Sequence, residues 1–343
     1  MKFHLEMSSI LPMLKFLKEI KNGKVDRATL CDIFNHPDYC FEIERYNIKS
    51  KKLLIDYFMQ LNTIKEQDIP ELDSPRKDIL KHKHSRWLIA YQDPDYYAEL
   101  YKKVISTLTD EALEYACETA KRGLAGDMEI GDVQAISTMS IGTSYGYVHQ
   151  GAFHFDLMGI DEYGGLDNLP KVLAHEIHHL ALMKHVPPFN DNLTLEEQFI
   201  QSFAYEGLAI KFCNNAKGVI SKPLYEDRPI NDGLDAFTMD YLNARFNEAC
   251  AVFLDVSNKL SLGEMSKDDM MEHLRNYWWN RHTEEQGGSE EARLQQSLFY
   301  SFGNDLYGSI YDVYGAEVLF DSVRNPLKAV GLFKVIIKAK REQ

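Results

Sequence analysis

The spacing of apolar residues predicts helices over most of the first 125 residues. Leu11, Leu14, Leu17 and Ile20 recur at helical intervals, and the stretch 53–61 has the same period. Proline and glycine interrupt this pattern, and they predict turns at 22–23, 36–37, 69–75 and 93–94. The first 23 residues carry charges among their apolar positions, and we interpret them as an amphipathic helix and not a signal peptide.

The pattern changes after Gly126, where β-branched and aromatic residues become frequent. Residues 131–141 and 145–157 are rich in them, with glycines at 142, 146 and 151, and we interpret this region as two or three strands. A helical period returns at 169–183 and continues through later segments, at 196–217 and 232–280. The predicted fold class is therefore mainly α with a small β-sheet, an α+β fold.

A long helix is predicted near the C-terminal end, from about Glu290 to Tyr314, after a linker candidate at 286–288. We expect one of its two stripes to pack into the core. That stripe consists of Leu298, Phe302, Leu306, Ile310 and Val313. The other stripe consists of Tyr300, Gly303, Tyr307, Tyr311 and Tyr314. Gly303, one turn from Tyr300, permits the close approach of another element or of a substrate.

The charge balance excludes some partners. The 343 residues include 38 Lys and Arg against 52 Asp and Glu, which gives a formal net charge of −14. Such a surface argues against general binding to nucleic acid and against attraction to anionic membranes. No uncharged apolar stretch reaches the roughly 18 residues that a membrane span needs. We expect no nucleic-acid partner and no membrane association.

The cysteines indicate a reducing environment. They are odd in number and widely spaced, and they include no C-x-x-C pair, which disfavours a thiolate metal site. We therefore expect reduced, mostly buried thiols and a cytoplasmic location. The five are Cys31, Cys40, Cys117, Cys213 and Cys250.

The strongest chemical signal is the string H-E-I-H-H at 175–179, an H-E-x-x-H pattern. In the predicted helix, His175 and His179 project from one face at neighbouring turns, so their imidazoles can share one metal ion. Glu176 lies beside them, where its carboxylate can polarise a water molecule. His178 is turned by about 100° from His179 and is interpreted as a supporting or surface residue. The pattern predicts a zinc site.

The helix predicted over 196–217 offers a third ligand, which a catalytic zinc ion usually requires. Phe199, Phe203, Glu206 and Ile210 follow one stripe, so Glu206 is the single carboxylate on an apolar face. A buried carboxylate needs a cation or a strong donor, and zinc would satisfy it. A salt bridge to a lysine or arginine is the alternative.

Other candidate ligands are weaker. Glu196 and Glu197 are closer in sequence to the histidines, but they lie where a helix begins and fit a solvated first turn. His149 and His154, in the predicted strands, are interpreted as structural or surface residues because the helix already supplies two nitrogens. A strand whose outer edge faces the metal could hold a peptide by backbone pairing.

The strings H-E-I-H-H and E-G-L-A, at 175–179 and 206–209, together resemble the gluzincin class of zinc metallopeptidases. In the aminopeptidase branch of that class, a second helix carries the third zinc ligand in an E-G-x-A-like string. The 26 residues between His179 and Glu206 exceed the usual spacing of that branch. This longer separation is similar to that of uncharacterised families of predicted zinc-dependent peptidases, which the chain resembles best, and it predicts a loop over 185–193.

The resemblance extends to the predicted C-terminal helix. The string Y-S-F-G at 300–303 resembles the Tyr-x-x-Gly string of gluzincin aminopeptidases, whose tyrosine stabilises the oxyanion. The resemblance gives Tyr300 this role, with an aromatic packing stripe as the alternative. Tyr307, His273 and His282 are further candidates for the same donor.

The combined expectation is a gluzincin-like zinc metallopeptidase that cleaves a peptide or a small amide. Zn²⁺ would be held by His175, His179 and Glu206, with Glu176 and Tyr300 as catalytic residues. Residues 1–125 would form a helical N-terminal region and 126–343 the catalytic region.

Two alternatives stay open. One is a zinc hydrolase of a non-peptide amide, and the other is a non-catalytic metal-binding or sensing protein on a peptidase scaffold. The presence of Glu176 argues against the second, because a structural site needs no general base.

Overall fold

A computed structural model describes four stretches of the chain, residues 2–24, 26–227, 236–279 and 298–342. Helices predominate and a four-stranded mixed sheet accompanies them, so the mainly helical α+β class is confirmed. The predicted linker at 286–288 and His282 lie outside the described residues.

The chain forms two compact units, each built from two stretches of sequence. The first unit comprises Met1–Tyr115 and Gly131–Glu176, and the second comprises Ala116–Ile130 and Ile177–Gln343. The sequence-based division at residue 125 marks a change of pattern, and as a statement about domains it stays a prediction.

The first unit begins with a strand, β1, and continues with helices whose breaks fall near the predicted turns. The strand is Phe3–Glu6, and the helices are α1 (Ile10–Lys21), α2 (Arg27–Asn35), α3 (Pro37–Arg45), α4 (Lys51–Met59), α5 (Ile79–Gln92), α6 (Pro94–Thr107) and α7 (Asp110–Lys121), of which the residues after Tyr115 belong to the second unit. Helix α6 starts as its sequence predicts, because Asp93 accepts a hydrogen bond from the Tyr96 amide and Pro94 occupies the first turn. The N-terminal stretch is not one helix, since β1 precedes α1.

The sheet lies in the first unit and has the order β1-β2-β4-β3. Its later strands are β2 (Val133–Thr138), β3 (Gly146–His149) and β4 (Ala152–Asp156). β1 pairs in parallel with β2, and β2 with β4, while β3 pairs antiparallel with β4. Three strands are thus confirmed where two or three were predicted. The sequence pattern did not show β1, because its partner β2 lies about 130 residues later and a local period carries no information on that pairing.

Helix α8 (Leu169–His185) confirms the helix predicted over 169–183 and extends it by two residues. It is one continuous element of which the N-terminal residues belong to the first unit and the C-terminal residues to the second. Three short 3₁₀ turns precede it, at Leu157–Gly159, Asp161–Tyr163 and Leu166–Asn168.

The second unit is built on helices around α9 (Leu195–Phe212). They are α10 (Ala236–Ser261), α11 (Lys267–His273), the helical residues 298–303, α12 (Ser309–Arg324) and α13 (Pro326–Arg341), with π-helical turns at Leu274–Trp278 and Asn304–Gly308. From residue 198 to 212, every residue of α9 except Glu206 is buried. Phe203 lies at the centre of an aromatic cluster, with ring centroids 4.7 Å from Phe299 and 4.8 Å from Trp278. A helix buried on all sides is a core helix.

The predicted C-terminal stripe is only partly confirmed. Leu298, Phe302, Leu306 and Ile310 are buried, but Val313 is 58% exposed. The π-helical turn Asn304–Gly308 lies within this stripe. Ile310 after the turn is still buried, so the predicted stripe ends between Ile310 and Val313.

Two further expectations concern the chain as a whole. No disulfide joins any of the five cysteines, all of which the structure describes. None of the helices in the described stretches is long and apolar enough to cross a bilayer.

Candidate metal site

Helix α8 carries two of the three candidate ligands, and α9 carries the third. His175 and His179 lie one turn apart on α8. The Nε2 atom of His179 is 3.3 Å from Oε2 of Glu206. One ligand atom from each of His175, His179 and Glu206 can be chosen so that all three lie within 4.8 Å of one another. The residues that the sequence proposed as metal ligands are thus brought together.

The donor set suits zinc in chemistry and in scale. Zinc binds imidazole nitrogen and carboxylate oxygen at about 2.0–2.2 Å, so two ligands of a tetrahedral ion lie about 3.3 Å apart. The separation of His179 and Glu206 has this value, 3.3 Å. Two imidazoles and one carboxylate are also a ligand set of catalytic zinc sites, which keep one coordination position for water.

Glu206 differs from its neighbours at 198–212 in being partly accessible. Its side chain is 15% exposed, whereas that of His179 is 7% exposed. The sequence required a cation or a strong donor for this carboxylate, and the structure places the His179 imidazole there. The same two groups would become neighbouring ligands of a metal ion bound between them.

Glu176 lies on α8 immediately after His175, and its carboxylate is close to the sheet of the first unit. Gly146, the first residue of β3, lies beside it, and a Cβ atom on Gly146 would be 3.2 Å from Oε1 of Glu176. The strand β3 is at the end of the strand order, so this carboxylate lies next to an edge strand. The sequence showed Gly146 only as a turn signal and gave no indication of this contact.

His178 is a buried residue, so the surface interpretation is wrong. It has no exposed surface, and its Nε2 atom lies 2.9 Å from the carbonyl oxygen of Gly123. A Cβ atom on Gly123 would approach the His178 ring to 2.8 Å. His178 therefore holds the segment after α7 against α8 within the second unit, and it belongs to the packing around the candidate ligands.

The carboxylates at the start of α9 have other roles. Thr194 and Glu197 form a capping box, in which the Glu197 amide donates to Oγ1 of Thr194 and the Thr194 amide donates to Oε2 of Glu197. Glu196 accepts a hydrogen bond of 2.6 Å from the Ser257 hydroxyl. Both side chains stabilise the beginning of the helix, as their position in the first turn suggested.

His154 has the surroundings of a structural histidine. It is 2% exposed and stacks on Tyr147, with ring centroids 4.8 Å apart and an interplanar angle of 2°. Burial lowers the pKa of His154 to about 4, so the ring is neutral at physiological pH. Burial also lowers the pKa of the half-buried His149, whose ring centroid is 6.2 Å from that of His154.

Tyr300 is one of the candidate oxyanion donors, and it lies in a helix that packs against α9. It is half-buried, and its helix contacts α9 at Gly303, where a Cβ atom would be 3.1 Å from Cα of Gly207. Gly207 follows Glu206 directly. Tyr300 therefore lies one turn from the residue that packs beside the candidate ligand.

The other described donor candidates also have packing contacts, as Tyr300 has with Trp279, whose ring centroid lies 5.6 Å from its own. Tyr307 is fully buried, and its hydroxyl donates to the carbonyl oxygen of Ile200 at 3.2 Å. Burial holds the pKa of Tyr307 well above its usual range. His273 stacks on Tyr277, with centroids 5.5 Å apart and an interplanar angle of 10°. Both residues are thus engaged in packing.

Comparison of the chain with family models, with curated proteins and with solved structures found no match. The resemblance to gluzincin peptidases therefore rests on the strings at 175–179, 206–209 and 300–303.

Proposed function

We propose that this protein is a zinc-dependent peptidase with a gluzincin-like architecture, in which Zn²⁺ and Glu176 activate a water molecule. The observation that carries the proposal is the convergence of His175, His179 and Glu206, whose ligand atoms lie within 4.8 Å of one another. The neighbouring carboxylate of Glu176 gives this group the additional base that a purely structural zinc site does not need.

The metal ion and two residues have distinct roles in the proposed reaction. Zn²⁺ bound by the three ligands would supply a Lewis acid that polarises the scissile carbonyl and lowers the pKa of water. The Glu176 carboxylate accepts the proton of the attacking water and then returns a proton to the leaving amine. The Tyr300 hydroxyl donates a hydrogen bond to the carbonyl oxygen as negative charge develops on it.

The contact between Glu176 and Gly146 favours a peptide over a compact non-peptide amide. The carboxylate lies against the first residue of β3, and β3 ends the strand order of the sheet. The edge of a strand can pair with an extended backbone, and the glycine lets the Glu176 carboxylate approach that strand closely. We propose a peptide substrate in extended conformation.

We also propose a cytoplasmic location, because the five cysteines form no disulfide and reduced thiols are typical of that compartment.

The test combines metal analysis with a peptide-library cleavage assay on the full chain and on Glu176→Gln. We expect one zinc ion per chain in both proteins. We also expect the variant to lose hydrolysis by a factor of about 10²–10⁴, because it keeps the ligands but lacks the base. Equal cleavage by the two proteins would disprove the role of Glu176. Stoichiometric zinc without cleavage of any peptide would favour the non-catalytic alternative.

Tyr300→Phe tests the proposed oxyanion donor. We expect normal folding and normal zinc content, a kcat lower by about 10²–10³, and little change in KM, because the hydrogen bond acts in the transition state. Tyr307→Phe is the matched control. It removes a buried hydrogen bond to Ile200 and should lower stability by about 1 kcal/mol without changing kcat. If Tyr300→Phe turns over at the parental rate, Tyr300 is a packing residue.

A further inference from the structure

Two helices of the second unit meet through their backbones beside the candidate ligand Glu206. A Cβ atom on Gly207 would lie 2.2 Å from the carbonyl carbon of Gly303, 2.4 Å from its oxygen and 2.8 Å from the amide nitrogen of Asn304. A Cβ atom on Gly303 would lie 2.5 Å from the carbonyl oxygen of Phe203. At both positions the nearest atoms belong to main chain, which cannot rotate away as a side chain can.

A side chain at either glycine would therefore separate the two helices. Ordinary carbon contacts begin near 3.5 Å, so an alanine at Gly303 or Gly207 requires a displacement of roughly 1 Å. Both helices lie in a closely packed interior, which transmits such a displacement to its neighbours. Glu206 precedes Gly207 and must move with it.

Hydrogen bonds to the loop after α9 hold the segment 298–308 in place, so this segment cannot absorb the whole displacement. The buried Asp305 carboxylate accepts hydrogen bonds from the amides of Val219, Ile220 and Ser221, at 3.0, 2.8 and 2.9 Å. The Asn304 side chain donates to the carbonyl oxygen of Ala216 at 3.2 Å. Part of the displacement therefore falls on α9.

The displacement is large compared with what a metal site tolerates. Metal–ligand distances are held to about ±0.2 Å, so a shift of even a third of an ångström at Glu206 exceeds that range. The carboxylate can recover part of the shift by side-chain rotation. We therefore expect a lower metal affinity and not a complete loss of metal binding.

We propose that the contact between Gly207 and Gly303 positions Glu206 for the metal ion, which makes Gly303 a positioning residue of the site. This inference rests on the metal-binding part of the proposed function. Gly303 lies almost a hundred residues after the last ligand in the sequence, and it supplies no atom to the metal. Its contribution is the absence of a side chain.

The experiment measures the zinc dissociation constant of the full chain by competition with a chromogenic chelator. Gly303→Ala should bind zinc about 10–100-fold more weakly, the loss typical of residues that orient a metal ligand. Gly331→Ala is the matched control, because a Cβ atom on this helical glycine meets nothing within 4 Å, and its affinity should be unchanged. At Gly308 the nearest atoms to an added Cβ belong to the side chains of Asn304, Ser221 and Lys211 and not to main chain. Gly308→Ala should lower stability but keep the zinc affinity.

A double-mutant cycle separates positioning from general loosening. In the Glu206→Ala background, Gly303→Ala should cause no further loss of zinc affinity, because the ligand that it positions is absent. An additive loss would overturn the inference. So would a Gly303→Ala protein that binds zinc as tightly as the parent while Glu206→Ala binds weakly. A parent chain that does not bind zinc would overturn the proposed function as well.

Amide hydrogen exchange on the unaltered chain gives a second readout if Gly303→Ala does not fold. Zinc should slow exchange in peptides that cover 203–210 and 300–308, and it should leave α13 unchanged. Protection confined to 203–210 would contradict a mechanical connection through Gly303.

Discussion

Each compact unit buries a lysine side chain, and the two lysines differ in the partner that they meet. Lys83 in the first unit is 1% exposed and pairs with Asp156, whose side chain has no exposed surface. Lys211 in the second unit is also fully buried, but its partner Asp312 keeps 15% of its side chain exposed. One ion pair is thus completely enclosed, and the other has access to water at its acidic end.

Both lysines belong to polar clusters that hold a loop next to an element of the proposed site. In the first unit, Asp156 accepts from the Ser140 amide at 3.0 Å, and Glu42 accepts from the Ile141 amide at 3.1 Å. This loop leads into β3 and to Gly146. In the second unit, Lys211 donates to the Ser221 hydroxyl at 3.0 Å, in the loop after α9.

The difference between the partners decides how much each lysine matters. A buried charge whose partner is removed must be desolvated without compensation, which costs several kcal/mol. A charge at the protein surface can recover its hydration. Replacing the buried lysine should therefore lower the free energy of unfolding by different amounts in the two units. Substitutions of the buried groups can test this.

The largest effect is expected from Lys83→Met, which keeps an unbranched side chain one atom shorter than lysine and removes its charge. It leaves the enclosed Asp156 carboxylate with the more distant Arg86 guanidinium, 3.7 Å away, in place of a direct ion pair, and we expect a loss of about 3–5 kcal/mol in the free energy of unfolding, measured with denaturant. Arg86→Met is the control. Its guanidinium is 3.7 Å from the same carboxylate and its side chain is 21% exposed, so the loss should stay below about 1 kcal/mol.

The pattern of the sequence could not reveal these clusters. Lys83 lies in the run K-H-K-H at 81–84, which has the composition of a solvated helix face, and its partner lies 73 residues later. Pairings between distant residues leave no trace in a local period. The strand β1 was missed for the same reason.

Local features were predicted well. The helix that carries His175 and His179 and the helix that carries Glu206 follow from apolar spacing, and so do the strands after Gly126. The close approach of another element at Gly303 is also confirmed, although its partner Gly207 could not be named, because a glycine indicates available space and not what fills it.

Each unit also buries a carboxyl group, Glu42 in the first unit and Asp305 in the second. The pH dependence of stability provides a second comparison between the units. Burial raises the pKa of Glu42 from 4.5 to about 7, and it raises that of Asp305 from 3.8 to about 6. A carboxyl whose pKa is higher in the folded state binds its proton more tightly there. Its contribution to stability is therefore complete below the unfolded pKa and is lost as the pH rises to the folded value.

For Glu42 this loss falls between pH 4.5 and 7. A pKa difference of this size corresponds to on the order of 3 kcal/mol. Glu42→Gln should remove the dependence, so the stability difference between parent and variant should change by that amount between pH 4.5 and 7 and stay constant above. For Asp305→Asn, the difference in stability from the parent should change between pH 3.8 and about 6 and should be constant at higher pH. Parallel curves for the parent and Glu42→Gln would show that the pKa of Glu42 is the same in the folded and unfolded states, which would contradict the shift.

The smallest of the three effects is expected from Lys211→Met. The substitution removes the hydrogen bond to Ser221 and the 2.7 Å ion pair with Asp312. Asp312 keeps a hydrogen bond of 2.8 Å from the Lys222 amide, and its exposed oxygen can bind water. The loss in the free energy of unfolding should therefore be about 1–3 kcal/mol, the cost of broken hydrogen bonds and not of a stranded charge.

Lys222→Met serves as the control for Lys211→Met. This neighbouring lysine is exposed, so its replacement should change the free energy of unfolding by no more than about 0.5 kcal/mol.

The buried lysine Lys211 carries a desolvation cost in its charged form. Burial lowers the pKa of Lys211, and the ion pair with Asp312 opposes that change. An apolar replacement removes the desolvation cost of the lysine in both units, so the difference between the two variants comes from the acidic partner, which is enclosed for Asp156 and partly exposed for Asp312. If Lys211→Met proves as destabilising as Lys83→Met, the accessibility of the acidic partner is not what separates the two units, and burial of the lysine alone decides the effect.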